Sequence, residues 1–194
     1  MKRALVVIDV QESFRQRESW AACSNPEIAK QVHRLTETFR ERGEMIVWVL
    51  HTEPGTGNVF DPASGYVRLI EGLEAADGEP VITKTSFDAF HTTNLQQLLI
   101  SENIGEVVTC GIRTEQCVET TTRAAAGLGF EVTYVVDATA THPIEHRDAP
   151  PGRPLAEILA DPRTLPVEDI IARTEYVLAG RFARVTTVAE LTGS

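Results

Sequence analysis

Glu106-Val107-Val108-Thr109-Cys110-Gly111-Ile112-Arg113-Thr114-Glu115-Gln116-Cys117-Val118 passes from a β-branched apolar run, through a glycine, into polar helix formers. A run this short and this rich in Val and Thr has the character of a strand buried on both faces. Runs of the same kind recur at Ala4 to Asp9, Met45 to Leu50, Val81 to Lys84, Glu131 to Asp137 and Ala183 to Thr187. Helical patterns lie between them. Ile28, Val32, Leu35 and Phe39 share one face of a helix that Asn25-Pro26 opens and Gly43 closes. A second pattern follows Thr92-Thr93 through Leu95, Leu98, Leu99 and Ile104, and a third covers Glu115 to Leu128. Alternation of strands and helices implies right-handed crossovers, so the expected fold is α/β: a three-layer α/β/α, Rossmann-like arrangement around a parallel sheet.

The chain has 194 residues, 42% of them hydrophobic, which is enough for one sizeable core and too little for two ordinary domains. A single domain over residues 1–194 is expected. Its one compositional break is Ala149-Pro150-Pro151-Gly152, followed by helix-like pieces at Pro154 to Ala160 and Pro166 to Ala179. The remainder is too short to fold alone, so the segment at about 144–179 reads as an insertion that caps the same domain and shapes the pocket or an oligomer contact. A net charge of -10 and a pI near 5.0 argue against nucleic-acid binding, which needs a basic surface. The expected partner is a small-molecule substrate.

Met1-Lys2-Arg3 before an apolar stretch imitates a secretory signal, but the stretch stops at Asp9 and no small-residue cleavage site follows. No apolar run approaches the roughly 20 residues that cross a bilayer. Cys23, Cys110 and Cys117 form an odd set without Cys-x-x-Cys or zinc-finger spacing, and read as reduced thiols. These features lead to the expectation of a cytoplasmic protein that makes no membrane contact.

Ligands of open parallel sheets bind beyond the carboxyl ends of the strands, so polar residues that terminate strands are the first candidates for chemistry. Asp9 ends Ala-Leu-Val-Val-Ile, Lys84 ends Val-Ile-Thr, and Cys117 follows the fourth run where a helix begins. Alone, Asp9 reads as a cap and Lys84 as a solvated side chain; their shared placement is the argument for a site. Backbone N–H groups and the positive helix dipole at Cys117 are expected to lower its pKa and to receive an oxyanion. Cys110, inside the strand, reads as a small buried hydrophobe.

Three stretches are similar to the signatures of the isochorismatase-like hydrolases: Asp9-x-Gln11-x-x-Phe14, Thr83-Lys84-x-x-Phe87-Asp88-x-Phe90, and Gly111-x-x-Thr114-x-x-Cys117-Val118-x-x-Thr121. Gly129-Phe130-x-Val132 and Val135-Val136-Asp137-Ala138 extend the likeness, which covers residue 3 to about 142 and returns at Ala183 to Thr187. The resemblance implies a six-stranded parallel sheet and a triad of Asp9, Lys84 and Cys117. Asp9 would take the thiol proton, Lys84 would hold Asp9 and stabilise negative charge, and Cys117 would form a thioester that water hydrolyses. It also implies a non-proline cis peptide at Ile112-Arg113, which would aim the Arg113 and Cys117 N–H groups at one oxyanion. No cofactor is implied, and a homo-oligomer, dimer or tetramer, is expected.

One departure concerns metal. Metal-dependent nicotinamidases of that family carry Asp-x-His after the second strand, where this chain reads His51-Thr52-Glu53-Pro54-Gly55. His142-x-x-x-His146 has ligand-like spacing, but Pro143 opposes a regular helix, so no metal site is expected. The reading is therefore a hydrolase that cleaves a C–N bond of a small amide, ureido or carbamoyl compound. An isochorismatase-type vinyl ether hydrolase needs an acid and no nucleophile, and Cys117 weighs against it. A dinucleotide-binding protein is opposed by the absence of Gly-x-Gly-x-x-Gly in Val10-Gln11-Glu12-Ser13-Phe14. A catalytically silent interaction protein of the same fold is the remaining alternative. Phe14, Trp20, Phe87 and Phe90 are candidates for an apolar pocket wall, and Arg113 or Arg123 for a carboxylate partner.

Overall fold

The computed structural model describes Met1 to Gly193. The chain forms six strands, β1 (Lys2–Ile8), β2 (Met45–His51), β3 (Val81–Lys84), β4 (Ile104–Ile112), β5 (Glu131–Ala140) and β6 (Arg184–Thr186). All neighbours pair in parallel, in the order β3-β2-β1-β4-β5-β6. The chain winds outward from β1 through β2 to β3, then returns to the other side of β1 with β4. The crevice at the carboxyl ends of β1 and β4 is therefore the topological switch point, where open α/β sheets bind ligands.

Alternate residues of the central strand feed two cores. Leu5 and Val7 face a layer with Ile28, Val32, Leu35 and Phe39 of α2 (Ile28–Glu41) and Val188 and Leu191 of α7 (Val188–Thr192). Ala4, Val6 and Ile8 face the opposite layer, with Leu95 and Leu99 of α3 (Leu95–Ser101), Ala125 of α4 (Glu119–Gly127) and Leu178 of α6 (Val167–Leu178). Burial on both faces is why β1 reads as an unbroken apolar run from Ala4 to Ile8 rather than as an alternating strand. Short helices α1 (Glu12–Arg15) and α5 (Leu155–Ala160) sit beside the carboxyl ends of the strands. No helix among the described residues is long and apolar enough to cross a membrane.

Three boundaries around the site differ from the sequence reading. The second helix stops at Ser101 rather than reaching Ile104: Asn103 takes φ +58° and reverses the chain, which frees Ile104 to start β4. The third helix is not regular from Glu115. A widened turn over Thr114–Val118 precedes α4 and carries Cys117. β5 also runs on past Asp137, because the register of the β4–β5 ladder shifts between Thr109 and Gly111 and lets Thr139 and Ala140 pair with Gly111 and Ile112.

Gly111 packs directly against the backbone of β1. Its φ is +130°, and a Cβ there would lie 1.9 Å from the Ile8 carbonyl oxygen, one residue before Asp9. Only glycine permits that approach. Gly111→Ala combines a disfavoured φ with a clash against fixed backbone, and is expected to lower stability by about 2–5 kcal/mol. Urea unfolding followed by circular dichroism measures it.

Candidate active site

Asp9 follows β1 with φ +54°, a left-handed conformation that few non-glycine residues adopt. Local bonds hold it there. Its N–H donates to Val49 O at 2.8 Å, and its carbonyl accepts from Gln11 N at 2.9 Å. The buried Gln11 side chain then behaves like a strand of its own: Oε1 accepts from His51 N at 2.7 Å, and Nε2 donates to His51 O at 3.0 Å and to Ser13 Oγ at 2.9 Å. This clasp ties the end of β1 to the end of β2.

Lys84, the last residue of β3, is 0% exposed and reaches under β2 toward Asp9. Its Nζ lies 2.7 Å from Asp9 Oδ2, 3.0 Å from the Ser86 carbonyl oxygen, 3.4 Å from Cys117 Sγ and 3.5 Å from His51 Nδ1. Asp9 Oδ2 is held by the Lys84 ammonium, while Oδ1 has no hydrogen-bond partner among the described residues. The lone pairs of Oδ1 stay open to the thiol. The peptide bond Ile112-Arg113 is cis, and the turn that follows it carries Cys117 into contact with the ammonium.

Burial pushes the Asp9 carboxyl above the usual carboxylate range, and the Lys84 charge works against that rise. Burial and the neighbouring Asp9 carboxylate push the Cys117 thiol up to about 12, opposed by Lys84. This corrects the expectation of a lowered cysteine pKa. Cys117 is buried beside a carboxylate, and these effects outweigh what a widened helical turn contributes. The 2.7 Å contact pairs the Asp9 carboxylate with the Lys84 ammonium, and the thiol beside them stays neutral. Cys110 is wholly buried and pushed up further, with no charged partner.

The remaining candidates separate. Phe14 and Trp20 line a small cavity with Cys23, Ile112 and His142. Phe87 and Phe90 do not join them, so the four form no single wall. Asp88 closes a tight turn onto Phe90 N at 2.8 Å, leaving Phe87 61% exposed and Phe90 stacked on Phe130. Arg123 is taken by Glu119 at 2.8 Å and by the Phe182 ring. Arg113 pairs with Glu115 at 2.7 Å and lines a cavity of about 490 Å³ with Arg17, Gln116, His142, Leu155 and Ile158. His142 is pushed down to about 4 by burial and by Arg113, which keeps it neutral. His146 lies beside Asp148. Where metal-dependent members carry Asp-x-His, His51 Nε2 and Glu53 Oε1 face each other at 3.2 Å. No group of three or more His, Cys, Asp or Glu that could hold a metal occurs among the described residues.

Sequence reasoning missed two contributors. His51 ends β2 as Asp9 and Lys84 follow or end their strands, and the same rule pointed to it. Arg17 carried no such signal, since only the fold brings it beside Arg113.

Fold and cluster together define the class: an α/β protein with an acid, an ammonium and a thiol gathered at the switch point of its sheet. The Isochorismatase domain model matches residues 3–150, and the chain belongs to that hydrolytic family. It is 34% identical over 139 residues to the isochorismatase family protein YrdC of Bacillus subtilis, covering 72% of this chain and 74% of that one. It is also 34% identical over 145 residues to a streptothricin hydrolase of Streptomyces noursei, covering 73% of this chain and 51% of that one. The crystal structure of an isochorismatase from Pseudomonas putida superposes with a TM-score of 0.83 at 28% identity, covering 97% of this chain and 89% of that chain.

Iodoacetamide reacts with the thiolate, whose population grows as pH rises toward the thiol pKa. With Cys117 pushed up to about 12, its labelling in the folded protein is expected to be slow at neutral pH and still climbing at about pH 10. Cys110 should stay unlabelled until the protein unfolds. Peptide mass spectrometry across pH reads both, and a plateau for Cys117 near neutrality contradicts the resting state described.

Proposed function

We propose that this protein is a cysteine hydrolase that cleaves a C–N bond of a small amide, ureido or carbamoyl compound through a thioester. The observation that carries the reading is the buried Lys84 ammonium, which touches both the Asp9 carboxylate and the Cys117 sulfur. An acid–base group and a nucleophile on one shared cation are what acyl transfer requires. The streptothricin hydrolase relative supports hydrolysis as the reaction type.

Asp9 takes the proton from Cys117 as Sγ attacks the carbonyl carbon, and the oxyanion is received by the backbone N–H groups of Arg113 and Cys117. Asp9 then gives that proton to the leaving nitrogen, the C–N bond breaks, and the acyl group remains on sulfur. Water loses a proton to Asp9 as it attacks the thioester. The acid leaves, and the proton returns to Cys117. Lys84 keeps its charge throughout and offsets whichever neighbour is anionic. The cavity beside Arg113 offers room for a small substrate, with Leu155 and Ile158 as an apolar wall and Gln116 and Arg17 as polar contacts. Vinyl ether cleavage would leave the Cys117–Lys84 contact without a use, and the amide reading is preferred for that reason.

The test is a panel of amides, ureides and carbamoyl compounds assayed for ammonia or amine release, with isochorismate alongside. Cys117→Ala should abolish turnover while circular dichroism stays that of the wild type, and Asp9→Asn should cut turnover by at least about a hundredfold. Near-wild-type turnover by folded Cys117→Ala defeats the covalent route.

A further inference from the structure

An ammonium has three N–H donors, and Lys84 faces four acceptors. Asp9 Oδ2 at 2.7 Å and the Ser86 carbonyl at 3.0 Å are the short contacts, and each occupies one N–H. The third N–H is divided between Cys117 Sγ at 3.4 Å and His51 Nδ1 at 3.5 Å. Sulfur in a neutral thiol is a weak acceptor, so the imidazole lone pair is the better partner at rest.

The imidazole is set up for that role from three sides. His51 lies in register with Lys84 across the β2–β3 ladder, and Gln11 clasps both polar groups of its backbone. The ring meets Phe60 edge-on, with centroids 5.6 Å apart. Nε2 faces Glu53 Oε1 at 3.2 Å, and Asn58 donates to the other Glu53 oxygen at 2.6 Å. An ionised Glu53 can only accept, so Nε2 carries the ring proton and Nδ1 is left as an acceptor toward Lys84.

We infer that His51 is a positioning residue of this site: it holds the third N–H of Lys84 while Cys117 is a thiol, and releases that N–H to sulfur when the thiolate forms. In that step the S–H bond breaks and an O–H bond forms on Asp9, while Lys84 keeps its three protons. The charge of the cluster does not change. The anion moves from carboxylate to sulfur, and the N–H follows it, because a thiolate is a far stronger acceptor than imidazole. By competing for the N–H, His51 favours the thiol at rest. Glu53, half-exposed at the surface, acts on the buried sulfur through the tautomer it imposes.

The inference rests on reading Cys117 as the nucleophile, but its test needs no substrate, so it can fail while the hydrolase reading survives. The measurement is the rate of iodoacetamide labelling at Cys117 at neutral pH, by mass spectrometry, in the full chain. His51→Leu leaves sulfur as the only partner for the third N–H and should speed labelling by about threefold, which is what a tenfold gain in thiolate yields after its lower nucleophilicity. His51→Asn restores an acceptor oxygen near the place of Nδ1 and should return the rate toward wild type. Glu53→Ala unlocks the tautomer without disturbing the core and should give a smaller rise of the same sign. Labelling that is unchanged or slower in Glu53→Ala, and in His51→Leu if that variant folds, overturns the inference. So does His51→Asn labelling as fast as His51→Leu, since bulk rather than an acceptor would then be what matters.

Discussion

A carboxylate and an ammonium that are both wholly shielded from water, Asp9 and Lys84, set the terms for the rest of this structure. Desolvating two such charges costs several kcal/mol per ion, and their attraction offsets it only when the geometry is closely held. The sheet provides that geometry. Three neighbouring strand ends contribute: β1 leads into Asp9 in its left-handed turn, β2 receives the Gln11 clasp, and β3 ends on Lys84 in register with His51. On the other side, Gly111 lets β4 approach Ile8 closely enough to bring the cysteine turn over the pair.

That arrangement gives the cluster one cation and two acids. Buried with a single ammonium, Asp9 and Cys117 cannot both be ionised without leaving one negative charge uncompensated. Both acids are accordingly pushed upward, each by burial first and then modulated by its neighbours. In the proposed mechanism the negative charge passes from the carboxylate to sulfur as one proton moves the other way. A thiol kept protonated in this way is shielded from casual alkylation and oxidation, which act on the thiolate.

The segment beyond residue 144 is fastened to the same region by polar contacts. Ile144 and Leu165 pair through both backbone groups, at 3.1 and 2.8 Å, and Arg153 spans Glu145 and Asp161 at 2.9 Å each. Glu119, buried at the start of α4, accepts from Arg123 on its own helix and from Arg173 and Thr174 on α6. The helix that follows Cys117 is thereby tied to α6, and α5 supplies Leu155 and Ile158 to the cavity beside Arg113. The cavity wall and the turn that carries Cys117 share one framework.

The six strands, the amphipathic α2 and the placement of Asp9 and Lys84 at strand ends were legible in the sequence, because burial on both faces demands continuous apolar runs and polar residues mark where those runs stop. Cys117 stood out in the same way, just after the fourth run, and the three signatures that resemble a known family added the roles of a triad and the cis peptide. Tertiary structure alone decided the charge state of the thiol, because burial and the distance to Asp9 are sums over several elements that no local pattern encodes. It alone turned Phe87 outward, brought Arg17 beside Arg113 and set His51 against Lys84. Contacts between residues far apart in the chain depend on register and loop path, and a sequence read one window at a time specifies strands long before it specifies which of their ends meet.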